Sequence, residues 1–96
     1  MTLLDILLSK QMKKRKVATE IGLQSGLFVM CPVCHEVTEA SDPSAFRPNT
    51  EALVRQLVYD HDPRVRLFGD DVSALLETIT EVGWSLPYRC ACRSIR

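Results

Sequence analysis

The chain has 96 residues, 46% of them hydrophobic, with twelve basic and twelve acidic side chains. That length suits one domain spanning 1–96, and chains this short often lean on a metal, disulfides or a partner to supplement a modest core. A net charge of zero excludes the strongly basic balance that would by itself point to nucleic acid or an acidic membrane. The charge is uneven all the same: +1 over residues 1–40, −4 over 41–88 and +3 over 89–96.

The opening stretch, MTLLDILLSKQMKKRK, puts its basic residues after a short apolar run that Asp5 interrupts. A secretory signal has the reverse order. No apolar stretch approaches the roughly twenty residues needed to span a bilayer. A cytoplasmic protein without a membrane partner is therefore expected, and its cysteines should be reduced. Thr2 with Asp5 three residues later is a capping arrangement. Leu4, Leu7, Leu8 and Met12 follow at helical spacing. Lys10, Lys13, Lys14, Arg15 and Lys16 then suit the C-terminal end of a helix dipole, which predicts a first helix over about residues 3–16.

Residues 17–26, VATEIGLQSG, are ambiguous, and their two glycines suggest turns. Ala18 and Gly22, backed by Val17 and Ile21, also allow the tight turn of a helix-turn-helix with a second helix from Gln24 or Ser25. LFVMCPVCHEVTEA then reads as strand, knuckle, strand, with Phe28, Val29, Val33, Val37 and Thr38 suited to a sheet. SDPSAFRPN is rich in turn formers and reads as a loop. A second helix should be capped by Asn49 or Thr50 and bury Leu53, Val54, Leu57 and Val58. DHDP ends it, because Pro63 disfavours a helical residue before it. RVRLF alternates, which fits a short strand or an extended connection. Asp70 or Asp71 should start a third helix burying Val72, Leu75, Leu76, Ile79 and Val82, with Gly83 just past its end. WSLPYRCAC reads as an extended approach to the last cysteines.

All four cysteines fall in two close pairs, Cys31 with Cys34 and Cys90 with Cys92. The first has the C-x₂-C spacing of tetrahedral zinc knuckles. In an extended segment residues i and i+2 face one side, so the C-x-C pair can also present both sulfurs to one ion. Together they supply a complete Cys₄ set for a structural zinc, which would tie the last residues to the second quarter of the chain. Four buried core cysteines, an iron–sulfur cluster and thiol–disulfide chemistry are the alternatives.

Two short cysteine knuckles sharing one zinc resemble the broad zinc-ribbon class. The resemblance covers residues 28–40 and 84–96. The helical stripes at 4–12, 53–58 and 72–82, with the extended patterns near both cysteine pairs, predict an α+β fold: a small zinc-ribbon-like antiparallel sheet with about three packed helices. The fifty-five residues between Cys34 and Cys90 depart from a compact ribbon, because they hold two expected helices.

The remaining chemistry is sparse. His35 adjoins the first knuckle and reads as a neighbour of the metal or a solvent-facing side chain rather than a ligand. His61, flanked by Asp60 and Asp62, reads as a solvated helix end, with a catalytic role as the competing idea. Asp60, Asp62, Asp70 and Asp71 lack the Ca²⁺-loop spacing and read as caps. Glu77 and Glu81, one turn apart, read as a solvated face. Trp84, Leu86, Pro87 and Tyr88 read as packing over the metal or as a contact edge, packing being the readier explanation. No phosphate loop and no triad spacing occurs. The expected function is a zinc-stabilised adaptor or regulatory protein that binds another protein, a second copy included, and is not an enzyme. The first alternative is nucleic-acid binding through Lys10, Lys13, Lys14, Arg15, Lys16, Arg89, Arg93 and Arg96. The second is a small enzyme centred on His61.

Overall fold

The first helix continues nine residues past its expected end. In a computed structural model that describes residues 2–87, α1 spans Leu3–Ser25 without a break. Thr2 caps it as the sequence suggests: its hydroxyl accepts from the Asp5 N–H at 3.3 Å, and the Asp5 carboxylate accepts from the Thr2 N–H at 3.2 Å. Gly26, with φ 87°, ends the helix in the left-handed conformation that glycine adopts without a steric cost. The basic run therefore lies mid-helix, not at a C-terminus. There is no turn at Ala18–Gly22, so the helix-turn-helix arrangement is ruled out for this stretch.

Gly22 has a different purpose. The ring of Phe28 lies against its Cα, where any side chain would overlap it. Phe28 opens β1 (Phe28–Met30), which pairs antiparallel with β2 (Val37–Glu39) in the register Phe28↔Glu39, Val29↔Thr38, Met30↔Val37. Phe28 is thus the residue that pins the hairpin to the helices.

α2 covers Pro43–Tyr59 and starts six residues before the expected cap. The stretch read as a loop is helical. Pro43 stands at the helix start, where a missing N–H costs nothing, while Pro48 lies inside. Two contacts hold this end in place. Phe46 packs beside Gly26, and buried Thr50 exchanges a 2.8 Å hydrogen bond with Ser25 and donates to the Phe46 carbonyl at 3.1 Å. RVRLF belongs to a 3₁₀ helix, Pro63–Phe68, not to a strand. Val65 and Phe68, three apart, are both buried, as a three-residue turn requires.

α3 spans Val72–Ser85, capped by Asp71, whose carboxylate accepts from the N–H groups of Ser73 and Ala74. Gly83 is inside this helix rather than beyond it. Val17, Ala18, Ile21, Phe28, Val54, Leu57, Val65, Phe68, Leu75, Ile79 and Val82 form one core. The described residues thus make a small α+β domain with a two-stranded antiparallel sheet and packed helices. None of its helices is long and apolar enough to cross a membrane.

Candidate functional site

The β1–β2 ladder runs one step beyond its last paired residues. The Cys31 N–H donates to the Glu36 carbonyl at 2.9 Å and closes a turn made of Pro32, Val33, Cys34 and His35. The His35 N–H donates back to the Cys31 carbonyl at 2.9 Å. So tight a reversal needs a left-handed residue, and His35 has φ 61°. Histidine is one of the side chains that tolerates this region better than most. Its place beside the knuckle follows from the backbone, and its side chain is exposed.

The turn puts Cys31, half-buried, and Cys34, exposed, at one end of the hairpin, and the two are not cross-linked to each other. Two thiols at C-x₂-C spacing fit half of a soft tetrahedral site. Cys90 and Cys92 lie outside the described residues. Among the described residues no three His, Cys, Asp or Glu side chains come together to hold an ion. His35 and the acids around His61 therefore assemble no competing site there.

His61 has a structural explanation. α2 closes with the His61 N–H on the Val58 carbonyl at 3.1 Å and the Asp62 N–H on the Leu57 carbonyl at 3.0 Å, with His61 at φ 55° between them. This is the paired bonding of a Schellman cap, which needs a left-handed residue at that position. Asp62 next caps the 3₁₀ helix, accepting from the Arg64 N–H at 2.9 Å and from its guanidinium at 3.1 Å. The side-chain bond from Arg64, then the backbone bond, hold the Asp62 carboxyl below its ordinary value of 3.8. A folded pKa below the unfolded one gives stability that is present above the unfolded value and lost as pH falls through the folded one. Urea unfolding at pH 5, 4 and 3 should therefore show a stability loss that is smaller in Asp62→Asn. Equal slopes in the two proteins would contradict this role.

The basic run divides in two. The Lys14 ammonium lies 5.8 Å from the centroid of the Phe68 ring, and Arg15 donates to the Ser85 hydroxyl at 2.8 Å. These two brace α1 against the body. Lys10, Lys13 and Lys16 are exposed. At 100° per residue the five side chains surround the helix instead of forming one stripe. Arg89, Arg93 and Arg96 lie outside the described residues.

The N-terminal half of α1 is the larger finding. Every residue from Thr2 to Lys13 is exposed, and the helix joins the core only from Val17 onward. Leu3, Leu4 and Met12 are 74%, 64% and 72% exposed, and Ile6, Leu7 and Leu8 about half. The helical stripe of Leu4, Leu7, Leu8 and Met12 is legible in the sequence. Leu3 and Ile6 are not part of it. The available signal is that apolar residues there cover more than one face, too many for packing on one side. Trp84 is also exposed, at 77%, where core packing is the readier expectation. Glu77 and Glu81 are exposed as expected.

Compared with family models, with curated proteins and with solved structures, the chain matches none.

Proposed function

We propose that the protein is a zinc-stabilised adaptor or regulatory protein, without catalytic activity, that binds another protein through the N-terminal half of α1. One observation carries this. Six large apolar side chains, Leu3, Leu4, Ile6, Leu7, Leu8 and Met12, stand in solvent beside a body that already has its own core. Contiguous exposed apolar surface of this kind marks an interaction site, and a helix offering it suits a hydrophobic groove on a partner. A second copy of the chain is one such partner. Lys10, Lys13 and Lys16 border the apolar segment and favour an acidic rim. Zinc on Cys31, Cys34, Cys90 and Cys92 would be structural, because four thiolates leave no open position for a substrate. The left-handed cap position of His61 gives that residue a structural reason to be there, which supports the non-catalytic reading.

Photo-crosslinking from position 8 in the native cell is the test. The Leu8 probe should yield a discrete protein adduct, of twice the chain's mass if the partner is a second copy. Leu4→Glu with Leu7→Glu should abolish the adduct and leave the unfolding midpoint unchanged, because both side chains lie outside the core. Adducts to nucleic acid alone would transfer the arm to the nucleic-acid reading. No adduct of either kind would overturn both.

A further inference from the structure

About eighteen residues make five turns of α-helix, so residues that far apart in α1 lie on one line of its surface. Leu3 is on the line of Ile21 and Leu4 on the line of Gly22, both buried against the core. Leu7, about three turns before Ala18, lies within about 20° of its line. The exposed leucines therefore continue the same face that α1 buries from Val17 onward. We propose that the occupant of this face is the same segment of a second copy, and that the two N-terminal halves pack antiparallel about a two-fold axis near Leu7 and Leu8.

The position of the body decides this. It stands on the apolar face itself, since Lys14 reaches Phe68 and Arg15 reaches Ser85 immediately beyond Lys13. A flat membrane laid on Leu3, Leu4 and Leu7 would run into that body, so an occupant there has to be slender and has to stop short of it. A helix fits the corner, and the start of α1 is a helix that stops. Residues 3–13 are about 17 Å long, and laid antiparallel they end with their first turn against the body of the other copy. A parallel pair would drive each helix on into the other's core. Charge selects the same orientation. Asp5 lies near the tip of the exposed segment, with Lys10 and Lys13 nearer the body. Antiparallel segments bring each acid toward the level of the other's lysines, while parallel ones set like beside like. Leu4, Leu7 and Leu8 form the seam, with Leu3 and Met12 on its flanks. At 100° per residue Ile6 faces away from it, a single exposed apolar residue of the kind any surface carries. Five large side chains from each copy bury on the order of 1,000 Å² in total, the lower edge of a specific interface, so a dissociation constant in the micromolar range is expected.

The pairing rests on the partner role of α1 proposed above and not on zinc. Sedimentation equilibrium of the full purified chain, from about 1 to about 100 μM, should show monomer passing into dimer. Leu7→Glu should raise the dissociation constant at least about a hundredfold, because its charge enters the seam from both copies, and should keep its far-ultraviolet circular dichroism. A benzophenone side chain in place of Leu3, in a mixture of ordinary and nitrogen-15-labelled chains, should then form adducts between copies that map to residues 8–15. Adducts between copies at residues 2–6 overturn the antiparallel order, and adducts confined to one chain overturn the pairing. A chain that stays monomeric overturns the second copy, and sedimentation of that monomer with anionic phospholipid vesicles would give the face to a membrane instead. If the monomer's Leu8 probe still captures a different protein in the cell, the second copy is overturned while the partner role of α1 stands.

Discussion

Gly22→Ala is expected to destabilise the protein by about 2 kcal/mol, and Gly22→Val by about 3 kcal/mol or more, against the helix-propensity gain that alone would favour both. Replacing a mid-helix glycine by alanine stabilises an unhindered helix by about 1 kcal/mol. Here the new Cβ would overlap the Phe28 ring. The ring cannot swing aside cheaply. It is 2% exposed, and on its other side one edge atom lies 3.4 Å from where a Cβ on Gly83 would stand. Phe28 is therefore clasped between two glycines, one from α1 and one from α3. The same geometry predicts an asymmetry. A Cβ at Gly83 would meet the Glu39 carboxylate at 3.1 Å, the far end of a flexible side chain, so Gly83→Ala should change stability by less than about 1 kcal/mol. Urea unfolding of the variants decides the matter. Adding Phe28→Leu to Gly22→Ala should cost less than the two separate losses combined, because the smaller side chain relieves the overlap. A Gly22→Ala protein as stable as the parent would sink the account.

The features legible in the sequence are those whose causes are local. Thr2 with Asp5, Asp71 before a regular stripe, and DHDP before a proline each state their element within a few residues, and each is where the structure puts it. The two-strand hairpin around Cys31 and Cys34 is legible for the same reason. Gly22 is not. A glycine reads as a turn because it lacks a side chain, and the ring that needs the space arrives six residues later by tertiary packing. The start of α2 is hidden in a similar way. Pro43 and Pro48 make a loop the natural reading, while Thr50 on Ser25 and Phe46 on Gly26 hold the segment as helix. In RVRLF, alternation and a three-residue period cannot be told apart over so few positions. The candidate interface shows the deeper limit. Spacing reveals that Leu4, Leu7, Leu8 and Met12 share a helix, but only the length of α1 relative to its neighbours reveals that none of the described elements covers them.

Stripping zinc from the proposed Cys₄ site is expected to release one end of the molecule rather than unfold all of it. A ligand that binds only the native arrangement contributes about 4 kcal/mol when present at a thousandfold over its dissociation constant. The question is which part of the fold that free energy holds. The core of α1, α2, the 3₁₀ helix and α3 contains Val17, Ile21, Val54, Leu57, Val65, Leu75, Ile79 and Val82, none of which is a ligand. Phe28 fastens the base of the hairpin to that core through Gly22. The far end, residues 31–36, contributes no residue to that core. Beyond Met30 the turn is closed by backbone hydrogen bonds from Cys31 to Glu36 and from His35 to Cys31, and Val33 and Cys34 are exposed. Chelation should therefore raise amide exchange at Cys31 and His35 by about a hundredfold or more, as their opening becomes local. Amides of Ile21, Val54 and Ile79 should change far less. Cys31→Ser should reproduce the pattern without chelator, since a hydroxyl is a poor substitute for a thiolate on zinc. Global unfolding on chelation, with core and turn amides exchanging together, would show instead that the hairpin and its metal are required by the helices. Exchange that does not respond to chelator at all would remove zinc from the protein.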